Sequence, residues 1–179
     1  TYQKILNEAI EELKKEKFKE LLKNKKLNFY TKDCQLDTDL EIVIPEKYVS
    51  NISERLNLYK ELNTLKKEEE INEFINRLID RFGPIPKSIY NLFNAIRLKW
   101  IAKEIGFERI ILKNNKMHVY LPEEDNSLYY NSKTFQKILK YLKSNFQNCE
   151  MIEKKGKLSI KIQNVKSIKE SLIICQEII

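Results

Sequence analysis

His118 is the only histidine in the chain, and with Cys34, Cys149 and Cys175 it makes up the whole stock of imidazole and thiol groups. Nucleophilic catalysis by a Cys–His pair needs the thiol within hydrogen-bonding reach of the imidazole. His118 alternates with Met117, Val119 and Leu121, so it is expected to face solvent from a strand, while Cys149 and Cys175 fall at apolar positions and are expected to pack as small hydrophobes. A zinc site wants Cys and His ligands at short spacings, which this sequence does not offer. Asp37, Asp39 and Glu41 resemble hard-cation ligands but lack the glycine and closing glutamate of a calcium loop; acids on the wet side of a strand are the simpler reading. The only glycines are Gly83, Gly106 and Gly156. A phosphate-cradling loop needs closely spaced glycines where backbone N–H groups approach the ligand, so neither glycine-rich nucleotide motif can be built. No catalytic residue, cofactor or metal site is expected in this chain.

Two other groups of residues suggest binding. Tyr120 is a single outward aromatic on its strand, against the two or three of a base-stacking platform. Tyr129-Tyr130 suits either base stacking or anchoring of a loop to the core. At the end of an apolar helical stripe stands Leu78-Ile79-Asp80-Arg81-Phe82-Gly83-Pro84. Arg81 suits the negative end of the helix dipole and Asp80 does not, so Asp80 is either an interaction residue or half of a local pair with Arg77.

The elements that would position these residues follow from periodicity. Residues 2–23 read as an amphipathic helix carrying Leu6, Ala9, Ile10 and Leu13, followed by an exposed Lys/Asn run. Residues 29–38 give no clear pattern, and Leu40–Ile44 is the first expected strand, closed by Pro45. Three helices are expected at about 51–65, 67–82 and 86–105 from their apolar spacing. The first carries Ile52, Leu56, Tyr59, Leu62 and Leu65 on one side, and the second carries Ile71, Phe74, Ile75, Leu78, Ile79 and Phe82. Gly83 is expected as a left-handed cap and Pro84 as a stop. Beyond Gly106 the period becomes two. A hairpin turning at Asn114-Asn115 leads to a helix over 133–146, and a second hairpin turning at Lys155-Gly156 leads to a helix over 165–178 capped by Asn164. The expected class is α+β: a helical layer of three central helices, then two β-hairpin–helix units forming a small antiparallel sheet, with an N-terminal helical arm.

Composition agrees with a folded domain: 42% of the 179 residues are hydrophobic and 33% charged. No run approaches the roughly 18–20 apolar residues of a membrane span, no secretory leader is expected, and Thr1-Tyr2-Gln3-Lys4 reads as mid-helix, as in a piece of a longer chain. Three cysteines, odd in number and far apart, point to reduced thiols and the cytoplasm. The net charge of +7 makes a basic nucleic-acid-binding accessory domain the alternative function. Its short clusters are Lys23-Asn24-Lys25-Lys26 and Lys154-Lys155-Gly156-Lys157.

Ile44-Pro45, then Arg55-Leu56-Asn57-Leu58-Tyr59-Lys60, then Asp80-Arg81-Phe82-Gly83-Pro84-Ile85-Pro86 resemble, in order and spacing, the C-terminal domain of bacterial transcription-repair coupling factors. Tyr2–Leu13 also resembles the helix that leaves the family's ATPase motor. The resemblance implies two parts: a linker helix over 1–28 and a C-terminal regulatory domain over 29–179. It implies a non-catalytic, autoinhibitory module of an ATP-driven DNA translocase that releases stalled RNA polymerase and recruits nucleotide excision repair. ATP and Mg would belong only to the motor. The implied partner is the factor's own excision-nuclease-B-like module, whose surface for the repair A subunit the domain would mask. RNA polymerase, DNA and the A subunit would be partners of the full-length factor. In the family, acids at the end of this helix face basic residues of the B-like module, and Asp80, beside Arg81, matches them. Arg77 stands where an acid is often found, which implies either a partner with altered charge or an Asp80 that works with other acids such as Glu73.

Overall fold

Helix α1 spans Ile52–Thr64 and opens on Asn51, whose side chain accepts from the backbone N–H of Glu54 at 3.0 Å. Helix α2 spans Glu68–Phe82 and places Glu68, Glu69 and Glu70 in its first turn, where the dipole favours acids. Helix α3 spans Lys87–Ile105, directly after Pro86. The computed structural model describes residues 5–10, 12 and 33–179; residues 5–10 and 12 are helical. The rest of the expected N-terminal helix and the cluster at 23–26 lie outside the described residues.

The described residues divide into two compact units, 5–10 and 12 with 42–96, and 33–41 with 97–179, and α3 contributes to both. In the first unit the apolar stripes of α1, α2 and the start of α3 supply Leu58, Leu62, Ile71, Phe74, Leu78, Ile89 and Phe93 as buried residues. Phe74 and Phe93 meet edge to face with centroids 6.1 Å apart. Two details differ from the amphipathic reading. Arg55 and Leu58 of α1 are buried, and Ile79 of α2 is 44% exposed.

The second unit is built on a five-stranded mixed sheet of order β1-β2-β3-β5-β4. The strands are β1 Gln35–Thr38, β2 Arg109–Lys113, β3 Lys116–Glu123, β4 Cys149–Lys154 and β5 Lys157–Gln163. The expected hairpins form, with Asn114 and Asn115 at φ 54° and 59° and Lys155 and Gly156 at 52° and 74°. Ile110, Leu112, Met117, Val119, Leu121, Ile160 and Ile162 are buried on one face. The helices α4 Ser127–Tyr130, α5 Lys133–Ser144 and α6 Ile168–Ile178 add Tyr129, Ile138, Leu172 and Cys175 to the buried set.

Several expectations are corrected here. The first strand is Gln35–Thr38, not Leu40–Ile44, and it pairs parallel to β2, so the sheet is mixed rather than antiparallel. Residues 40–44 are irregular because their backbone is used elsewhere: the Ile44 N–H donates to the Tyr59 hydroxyl at 2.6 Å. Asp37 of β1 pairs with Arg109 at 2.6 Å, and Asp39 accepts from the Asn114 N–H at 3.0 Å. Ser167, not Asn164, caps α6, its hydroxyl accepting from Glu170 N–H at 3.0 Å, while Asn164 sits at φ 60° in the preceding turn. Gly83 has φ 84° and ψ −163°, a region open essentially to glycine alone and distinct from the left-handed helical cap expected.

All three cysteines are free thiols, Cys34 and Cys175 buried and Cys149 half-buried. Burial pushes the Cys34 thiol up to about 12 and raises Cys175 as well. Since the thiolate is the reactive form, a disulfide-exchange reagent at pH 8 is expected to modify Cys149 alone in the native chain. All three should react once denaturant is added. Rapid native labelling of Cys34 or Cys175 would contradict this packing.

Candidate functional site

The residues around Asp80 sort by what they touch. Tyr48 donates its hydroxyl to the Gly83 carbonyl at 2.7 Å and stacks obliquely on Phe82, centroids 5.7 Å apart. Tyr59 on α1 receives the Ile44 N–H, and buried Arg55, one turn earlier, donates to the Val49 carbonyl at 2.5 Å. Burial raises the Tyr59 hydroxyl above its ordinary range, opposed by its bond to Ile44 and by the nearby Arg55 charge, so it stays a neutral acceptor. Ile44-Pro45, Arg55 with Tyr59, and Phe82-Gly83 are therefore parts of one clamp that ties the 44–49 segment to α1 and to the end of α2.

Arg77 and Arg81 are also used internally. Arg77 pairs with Glu61 and lies 5.5 Å from the centre of the Phe74 ring. Arg81 pairs with Glu54 at 2.5 Å and lies 4.9 Å from the centre of the Phe82 ring. Both arginines lean toward α1, so the local Arg77–Asp80 pair entertained from the sequence does not form. These exposed pairs orient α1 against α2 more than they stabilise either, at about 0–1 kcal/mol each.

Asp80 and Glu73 remain. Both are exposed, and neither has a hydrogen-bond or ion-pair partner among the described residues. Glu69, Glu73, Asn76 and Asp80 follow one another at offsets of four, three and four, all exposed, on the side of α2 opposite Ile71, Phe74 and Leu78. Of the four residues expected to act at this site, the structure brings Asp80 and Glu73 onto one outward face and commits Arg77 and Arg81 to α1. Glu69 and Asn76 belong to that face and were not singled out from the sequence, although the same helical offsets place them there. Such a row cannot do proton-transfer or nucleophilic chemistry without a second group facing it. It can meet cations.

The family model described as TRCF domain matches residues 38–132, more than half of the chain, and spans every part of the clamp. The chain belongs to the TRCF domain family. It is 30% identical over 135 residues to the transcription-repair-coupling factor of Bacillus subtilis, covering 75% of this chain and 11% of that protein. It is 28% identical over 185 residues to the transcription-repair-coupling factor of Borreliella burgdorferi, covering 95% of this chain and 15% of that protein. The chain thus spans a small part of the length of these relatives. A crystal structure of the C-terminal domain of transcription-repair coupling factor superposes with a TM-score of 0.66 at 20% identity, covering 82% of this chain and 91% of that one. The α+β architecture of this TRCF domain is that of the solved domain.

Proposed function

We propose that this TRCF domain is a non-catalytic regulatory module that holds a transcription-repair coupling factor in a closed state. The observation that carries the reading is the division of labour within the signature. Arg55, Tyr59, Arg81, Phe82 and Gly83 all serve the fold, whereas Asp80, with Glu73 beside it, serves nothing within the described chain. An unpartnered acidic row on a rigid helix fits a basic protein surface. By family resemblance, that surface belongs to the excision-nuclease-B-like module of the same factor, where docking would cover the site that recruits the repair A subunit.

The energetics suit a switch. A tethered partner has a high effective concentration, so a small polar interface is enough to keep the factor closed. Engagement of stalled RNA polymerase then needs to outweigh only a few kcal/mol to shift the population. In this reading ATP and Mg act in the motor, the domain itself needs no cofactor, and the factor works in the cytoplasm on DNA.

The test is titration of the separate B-like module with this chain at several salt concentrations. Asp80→Ala is expected to weaken binding about two- to fivefold, the scale of one exposed charge pair, and Glu73→Lys with Asp80→Lys should abolish it at low salt. Thermal unfolding should not fall, because neither side chain has a partner in the fold and removing an acid from the last turn of α2 relieves its clash with the helix dipole. Unchanged binding by the double reversal would refute the acidic row as the docking face.

A further inference from the structure

The sheet of the second unit has a second face that the regulatory reading does not use. Residues paired across the strands share a side, so the register sets its composition. Ile111, His118, Lys161 and Glu150 form one row across β2, β3, β5 and β4. Arg109, Tyr120, Ser159 and Ile152 form the next row, and Lys113, Lys116 and Gln163 form the row at the Asn114-Asn115 turn.

At the middle of this face, His118 and Tyr120 lie against each other with centroids 4.5 Å apart and planes inclined by 32°. The sequence offered Tyr120 as a single outward aromatic; the fold makes it half of a two-ring stack. Burial and the nearby Lys161 charge lower the His118 proton affinity, so near neutral pH the stack is an uncharged aromatic surface.

Cations surround the rings. Arg109 is taken by Asp37, and Lys157 by Glu108 at 3.5 Å. Lys113, Lys116 and Lys161 have no ion-pair partner among the described residues; the acids in the His118 row are Asp37 on β1, which is held by Arg109, and Glu150 on edge strand β4. At the turn end, Lys113, Asn114, Asn115 and Lys166 line an open cleft of about 350 Å³ that also includes Asp39. Lys116, His118 and Tyr120 alternate along β3 and span about 14 Å of strand, the length of a few nucleotides.

We propose that this sheet face binds single-stranded nucleic acid, with an unpaired base continuing the His118–Tyr120 stack and phosphates meeting Lys113, Lys116 and Lys161. Base stacking on aromatic side chains is indifferent to sequence, and a lysine rim supplies the salt-dependent part of affinity. Duplex DNA satisfies the lysines but keeps its bases inside its own stack, so a single strand is the better fit. An acidic polypeptide would use the charges and leave the rings idle. The inference stands apart from the docking of α2, and either can fail alone.

Fluorescence anisotropy of a labelled oligothymidylate, a hairpin duplex of equal length and a polyglutamate competitor, all with the 179-residue chain, provides the test. The single strand is expected to bind more tightly than the duplex, with a log–log salt slope of about −2 for three lysines. Lys116→Ala with Lys161→Ala should flatten that slope to about −0.7, the value for one remaining lysine. Tyr120→Leu should cost roughly tenfold in affinity and leave the slope unchanged. Circular dichroism checks the fold of each variant, and His118→Ala replaces Tyr120→Leu if the latter is unfolded. Equal or tighter binding of the duplex, displacement by polyglutamate with no effect of the ring variants, or no binding at low salt would each overturn the proposal.

Discussion

Gly106→Ala is expected to destabilise the chain by about 3 kcal/mol, the sum of a left-handed backbone penalty and an overpacked core. Gly106 ends α3 with φ 94°, and a Cβ built there would lie 2.4 Å from Cε2 and 3.1 Å from Cζ of Tyr129. The Tyr129 ring cannot simply swing away. It is fully buried, its hydroxyl donates to the Ile105 carbonyl at 3.0 Å, and Tyr130 and Phe135 close around it with centroids 5.1 and 5.8 Å away. Of the two roles open to Tyr129 from the sequence, it takes the structural one, anchoring the loop after β3 to the end of α3. Gly156→Ala is the matched control. Its φ is 74° but nothing lies within 4 Å of its Cβ position, so only the backbone penalty of about 1 kcal/mol applies. Urea denaturation of both variants separates the two contributions. Equal losses would mean that the Tyr129 ring yields freely and that the close packing is unimportant.

Arg55→Ala should cost about 3 kcal/mol as well, for a different reason: it empties a buried site and strips the Val49 carbonyl of its donor. Arg55 is among the largest fully buried side chains of the chain. Its charge lies close enough to Tyr59 to lower that hydroxyl's pKa, and Tyr59 holds the Ile44 N–H. Losing Arg55 therefore loosens the clamp at one end and leaves the other less well placed. Arg55→Met keeps most of the volume and removes the cost of burying a charge, so it should lose less than half as much. Denaturation midpoints of the two variants decide this. If methionine proves as damaging as alanine, the guanidinium bond to Val49 matters more than the packing.

Both cases bear on how far the fold was legible. The stripes of α2 and α3 and the two hairpins were visible because the information is local: apolar spacing of three and four, or Asn114-Asn115 and Lys155-Gly156 at the turns. Strand β1 was not visible. It has four residues, its order comes from parallel pairing with β2 some seventy positions later, and only Leu36 of the strand is buried. Leu40–Ile44 looked more strand-like by composition, yet it is irregular because Ile44 is held by Tyr59. Arg55 was not assigned a face from the sequence; its offsets from Ile52, Tyr59 and Leu62 put it on the apolar side of α1, and the carbonyl that receives its charge there comes from another segment, which periodicity cannot anticipate.

The candidate site shows the same division. By itself the sequence determined that the three glycines are too far apart for either glycine-rich nucleotide motif, and that Asp80 lies off the apolar stripe of its helix beside the signature that led to the family. Those facts depend on residue types and on positions close together in the chain. Only the tertiary structure decided which charges were spoken for. Arg77 turns to Glu61 and Arg81 to Glu54 because α1 packs beside α2, which leaves Asp80 and Glu73 facing outward. Likewise, His118 joins Tyr120 because the pleat sets alternate residues on one side, and the lysines gather around them because strands far apart in sequence are neighbours in the sheet. An ion pair or a binding face is a statement about distance in space, and sequence separation carries that distance only within a helix turn or a hairpin.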